Sequence, residues 1–199
     1  MPDAVRRLDL RALRAATLTG DGAVVALPFL TIGSFTWSWE HAHRVLHEWR
    51  AWTADDPGAV STVRLVRPVR GRPTVAIELA LAGEADARLA PLRRLGPELD
   101  TVRVGPPAAV RPAVNHVPVG MAPITAHRRL AGLPPAAVDA FAAAAGPGSR
   151  AELLSAELHH LGGAYVLAAI GAAADPDGAE RVRIALADVE RRLAPWTAA

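Results

Sequence analysis

The clearest alternation of apolar and polar positions runs over Val60–Val66, where Val60, Thr62, Arg64 and Val66 interleave with Ser61, Val63 and Leu65. A period of two predicts a strand with unlike faces. Thr74–Ala82 is a long apolar run, and the intervening Arg70-Gly71-Arg72-Pro73 is turn-forming, so the two segments read as a hairpin. Further upstream, Arg14–Leu18 and Ala23–Leu27 flank Thr19-Gly20-Asp21-Gly22, whose Asp-Gly step tolerates the positive φ of a tight turn and predicts an earlier hairpin. Leu30–Trp39 predicts a third strand. Over Glu40–Trp52 the spacing becomes helical, through Ala42, Val45, Leu46, Trp49 and Trp52, until Asp55-Asp56-Pro57-Gly58 stops it.

The second half is less regular. Glu84–Leu95 reads as a short helix kinked by Pro91, and Leu99–Val104 as a strand. From Gly105 to Pro123 the density of proline suits an ordered, irregular loop. Pro134–Ala145 is an alanine-rich helix opened by proline, and Ala179–Leu193 an amphipathic one. Leu153–Leu161 fits helix or strand equally well; Gly162-Gly163 breaks it, and Ala164–Ala172 follows as a strand. The sum is one α+β domain over residues 1–199, an antiparallel β-sheet with helices packed on one face.

Composition narrows the function classes. Cysteine is absent, which removes disulfides, thiolate metal sites and cysteine nucleophiles. The sequence pI of about 10.2 suggests a nucleic-acid binder, but the net charge is only +2. All 22 basic residues are arginine, so with no lysine or cysteine and one tyrosine almost nothing titrates between histidine and arginine. The arginines are scattered among Asp and Glu, as on solvated faces, so neither nucleic acid nor membrane is expected as a partner. With no signal-like apolar run at the start and no spanning segment, a cytoplasmic chain is expected.

Three stretches resemble bacterial members of the berberine bridge enzyme family, flavoproteins of the vanillyl-alcohol oxidase superfamily. Trp37–Pro57, WSWEHAHRVLHEWRAWTADDP, resembles the helix that opens the family's substrate domain. Leu89–Val104, LAPLRRLGPELDTVRV, is similar to the family's "LxPLRxLGPxxDT" passage. Leu153–Ala164, LLSAELHHLGGA, is similar to "LLSVELRHLGGAL", a likeness that assigns Leu153–Leu161 to a strand. The hairpin within residues 1–27 resembles the tail of the family's flavin-binding region, but the Gly-rich "RGGGGNFG" segment and the C-terminal "YxNF" contact are missing. The resemblance therefore implies a substrate-binding domain without its flavin-binding region, and no cofactor is expected.

That resemblance makes the strand through Leu153–Leu161 part of the floor beneath the substrate. Alternation projects Ser155, Glu157 and His159 to one side, and Leu154, Ala156, Leu158 and His160 to the other. Glu157 and His159 are the expected acid/base pair, because a carboxylate and an imidazole two residues apart stabilise each other's charged forms. Tyr165, the one phenol, is a third catalytic candidate as a proton donor. His116 in the proline-rich loop, Trp37, Trp39 and His160 are candidates for substrate contact. His43 and His47 form an i,i+4 pair able in principle to bind zinc, yet no third ligand has metal-like spacing, so no metal is expected. The expected activity is flavin-independent: a cyclisation, dehydration or isomerisation of a small natural product, by a homodimer that buries the surface relatives turn to their flavin domain. A non-catalytic remnant, or one subunit of a split flavoenzyme, is the alternative.

Overall fold

A computed structural model describes residues 17–18, 24–25, 29–106 and 117–198. Short strands β1 (Thr17–Leu18) and β2 (Val24–Val25) pair antiparallel, as the Asp-Gly hairpin predicts. The main body comprises β3 (Leu30–Ser38), α1 (Ala42–Asp55), β4 (Val60–Val66), β5 (Thr74–Ala82), α2 (Asp86–Arg93), β6 (Leu99–Asp100), β7 (Arg103–Gly105), β8 (Ala122–Leu130), α3 (Pro135–Ala145), β9 (Ser155–Leu161), β10 (Ala164–Ala173) and α4 (Pro176–Leu193). Strands β3 to β10 build one eight-stranded sheet in the order β6-β3-β5-β4-β9-β10-β8, with β7 beside β6 on β3. Every pairing in it is antiparallel. Among the described residues, no helix is long and apolar enough to cross a membrane.

Local chemistry explains the elements. Gly162 and Gly163, with φ of 61° and 86°, make the two-residue turn that joins β9 to β10 and fixes Leu161 opposite Ala164. Positive φ at both positions matches the twist of the flanking strands, and glycine adopts it without strain. Pro176 starts α4, and the Asp175 carboxylate caps it by accepting from the Gly178 N–H at 2.7 Å. Trp39–His41 form a 3-10 turn leading into α1.

Alternation then divides the sheet into two faces. One packs against the helices: Phe35, Trp37, Val63, Leu65, Val75, Ile77, Leu158 and Leu167 are buried with Val45, Leu46 and Trp49 of α1, Phe141 of α3 and Val182 and Val189 of α4. Each such side chain contributes roughly 1.5–3 kcal/mol through removal from water. The other face carries the partners one residue out of phase, and these are the polar residues of the central strands.

The observed architecture is the expected α+β sheet with helices on one face, and two elements differ in detail. The predicted strand Leu99–Val104 is split into β6 and β7, because Thr101 and Val102 cross Gly33 of β3 so closely that a side chain there would meet the Thr101 carbonyl at 2.6 Å. Strand β8 had no counterpart in the sequence reading. Its Ile124, Ala126, Arg128 and Leu130 alternate with Pro123, Thr125, His127 and Arg129, but it is an exposed edge strand and its apolar signal is weak.

Candidate functional site

Among the described residues, no helix packs on the other face of β5, β4 and β9, which carries a connected polar network. Register sets Glu78 opposite Thr62 and Thr62 opposite His159, while the neighbouring row places Arg64 opposite Glu157. These side chains are therefore neighbours on one face by backbone pairing alone. Ala76 and Ala168 flank the Arg64–Glu157 row, whereas Ser34 and Val166 flank the row of Glu78, Thr62 and His159.

Arg64 organises the network. Its Nε donates to Glu157 Oε1 at 3.0 Å and its Nη1 to Glu78 Oε1 at 2.9 Å, with the residue only 8% exposed. Burial opposes the guanidinium charge, but the facing carboxylates of Glu157 and Glu78 outweigh it and hold the Arg64 pKa above its ordinary value. Ser155 Oγ, itself buried, donates a further bond to Glu157 Oε1 at 2.9 Å. Two donors thus fix the Glu157 carboxylate beside the Arg64 guanidinium.

His159 completes the chain of contacts. Its Nε2 lies 3.3 Å from Glu157 Oε2 and its Nδ1 2.8 Å from Thr62 Oγ1. A proton on Nε2 would face the carboxylate and leave Nδ1 to accept from the Thr62 hydroxyl. The imidazole is still 27% exposed. Hydroxyl, imidazole and carboxylate thus stand in series, with arginine at the far end.

Of the residues singled out in the sequence, the structure brings Glu157 and His159 together and separates the others from them. Tyr165 pairs with His160 and so lies on the helix-packed face, where its hydroxyl is 3.0 Å from Thr53 Oγ1 and its ring 4.9 Å from that of His160. The Gly162-Gly163 turn dictates this register, so Tyr165 cannot reach a substrate atom that His159 reaches. His160 faces the same way, buried, its Nε2 accepting from the Gly163 N–H. Trp37 is buried in the core, and Trp39 packs against that core beneath the Arg67 guanidinium, 5.1 Å from the ring centroid. His116 lies outside the described residues. Thr62, Arg64 and Glu78 were not singled out. The signal for Arg64 and Glu78 was a single charge within each of two strands.

His160 has a measurable consequence of its own. Burial holds its pKa below the ordinary imidazole value, against the weaker opposing effects of the Ala59 backbone and the Asp56 charge. The unfolded chain therefore binds this proton more tightly, so the stability at stake is fully present above pH about 6.5 and declines as pH falls below it. His160→Phe is expected to flatten that decline, as read from urea midpoints at pH about 7.5 and about 5. Identical pH dependence in both proteins would contradict the assignment.

No protein-family model matches the sequence, and no curated protein does. Solved structures do. The chain superposes on 6-hydroxy-D-nicotine oxidase from Arthrobacter nicotinovorans with a TM-score of 0.60 at 16% identity, over 89% of this chain and 46% of that one. For CrmK, a flavoenzyme involved in shunt product recycling in caerulomycin biosynthesis, the score is 0.62 at 15% identity, over 91% and 45%. For berberine bridge enzyme itself it is 0.58 at 11%, over 88% and 43%. The fold is that of the substrate-binding domain of berberine-bridge-type flavoenzymes. The chain spans less than half the length of these structures.

That fold implies FAD, and the flavin's diphosphate calls for a run of free backbone N–H groups with room for close approach, commonly at a helix start. Among the described residues, α3 and α4 open on Pro135 and Pro176, and the Gly178 N–H is already taken by the Asp175 carboxylate. Gly162 and Gly163 are committed to the β9–β10 turn and Gly33 to the close crossing of Thr101. None of these positions offers the diphosphate such a cradle, and no step below passes through a flavin.

Proposed function

We propose that this chain catalyses a flavin-independent proton transfer on a small organic molecule, an isomerisation, dehydration or cyclisation, on the face of its sheet that carries the polar network. The observation that carries this reading is the series Thr62–His159–Glu157, closed by Arg64. A substrate proton passes to the Thr62 oxygen as the Thr62 hydroxyl proton moves to His159 Nδ1. The imidazolium so formed faces the Glu157 carboxylate through Nε2–H, which stabilises it. Return of the proton to a different substrate atom gives an isomer; return to a departing hydroxyl gives water and an alkene. The neighbours of this fold include an enzyme of natural-product biosynthesis, which supports a compact secondary metabolite as substrate.

The chain's coverage of less than half of its structural neighbours favours a second reading, in which it is one part of a flavoenzyme and the flavin is held by protein outside this sequence. In either reading a second copy is proposed to cover the sheet edge at β6 and β7, where Phe29, Leu99 and Val104 are exposed. Sedimentation velocity with absorbance detection, at micromolar chain and with FAD added, reads both points. The proposal expects a dimer with no flavin absorbance in its boundary. Co-sedimenting flavin would overturn the flavin-independent reading, and a monomer would remove the dimer.

A further inference from the structure

Three metal-ligating side chains meet at the seam between α1 and α3. His43 and His47 stand one turn apart on α1, so both rings leave the same side of the helix, with centroids 4.5 Å apart. Asp139 of α3, 92 positions after His47 in the chain, brings its Oδ1 to 2.8 Å from His47 Nε2 and 3.1 Å from His43 Nε2. All three ligand atoms lie within 4.8 Å of one another. Bonds of about 2.0–2.2 Å to a tetrahedral ion hold adjacent ligand atoms about 3.3 Å apart. The two measured separations therefore need to widen by only a few tenths of an ångström to admit a shared ion.

The seam is built to hold that geometry. Arg50, on the turn after His47, donates its Nε to the Leu133 carbonyl at 3.0 Å, tying α1 to the segment just before α3. On either side of Asp139, Val138 and Phe141 are buried in the common core with Leu46 and Trp49 of α1. The ligands thus stand on two packed helices rather than on loops. His43 and Asp139 are exposed, with side chains 67% and 57% accessible, so ions and water reach the cluster freely.

We propose that His43, His47 and Asp139 form a site for a divalent first-row transition ion of the zinc type, which clamps α1 to α3 and keeps a water in its fourth position. Two imidazoles and one carboxylate favour zinc, nickel or copper over magnesium or calcium, which prefer all-oxygen shells. The cluster lies in the helix layer, on the opposite side of the sheet from Glu157 and His159, so it is independent of the proton-transfer reading. Without an ion, the same atoms form a hydrogen-bonded clip in which Asp139 bridges two imidazoles.

Titration of the full chain, freed of any affinity tag and stripped with chelator, separates ion site from clip. Zn2+ is followed by calorimetry and Co2+ by its visible absorption. A single saturable ion per chain is expected, with the intense bands of a four-coordinate Co2+. His47→Gln and Asp139→Asn should each weaken binding by about tenfold or more. The exposed His41→Gln, two residues before His43 in the preceding 3-10 turn, should leave binding unchanged, and circular dichroism should show all three variants folded. Absence of saturable binding to the unmodified chain at millimolar ion would overturn the site. So would binding that survives Asp139→Asn undiminished, because it would reduce the site to an imidazole pair.

Discussion

Arg64→Met should destabilise the fold by about 3–5 kcal/mol, the cost of removing one partner from a buried ion pair. Arg64 is 8% exposed and donates to two carboxylates, Glu157 at 3.0 Å and Glu78 at 2.9 Å. Methionine nearly fills the volume and keeps the apolar stem, so the loss reads the charge rather than a cavity. Glu78 keeps access to water, with its side chain 26% exposed, whereas Glu157, at 11%, loses most. Urea unfolding followed by circular dichroism measures the difference. A loss below about 1 kcal/mol would place the pair in the range of solvated surface bridges and would show that Arg64 does not fix Glu157.

Glu157→Gln and His159→Ala should each lower turnover by about a hundredfold or more, the usual contribution of a positioned acid or base. The two act differently. Glutamine keeps an oxygen to accept from Arg64 and Ser155 but removes the charge that stabilises an imidazolium, whereas alanine removes the proton carrier itself. Both changes should act on kcat more than on KM, since neither group is argued to hold the substrate in its ground state. Thr62→Val, which deletes the hydroxyl 2.8 Å from His159 Nδ1, should fall in the same class. Turnover retained by Glu157→Gln and His159→Ala alike would make β9 scaffold only.

Legibility in the sequence followed signal strength. β4 and β5 coincide with the predicted segments, because a period of two bounded by turn residues has one reading. The division of β9 into a face with Ser155, Glu157 and His159 and a face with Leu158 and His160 followed from alternation once the segment was a strand. The same rule carried across the Gly162-Gly163 turn puts Tyr165 with His160, a step that a list of reactive side chains does not contain. Arg64 and Glu78 went unnoticed because pairing across strands, not spacing along them, brings them to Glu157. Asp139 was out of reach for the same reason: helix packing, not spacing, brings its carboxylate to His47. β8 was missed because an edge strand buries little and so leaves little pattern.

The central claim is that Glu157 and His159 move a proton without a flavin. The most direct measurement is incubation of the purified chain with a panel of small organic metabolites under anaerobic, flavin-free conditions, beside Glu157→Gln, with products followed by mass spectrometry. The account predicts an isomeric or dehydrated product that the variant forms about a hundredfold more slowly. A product that is oxidised and appears only when flavin is supplied, or one formed equally fast by the variant, would contradict it.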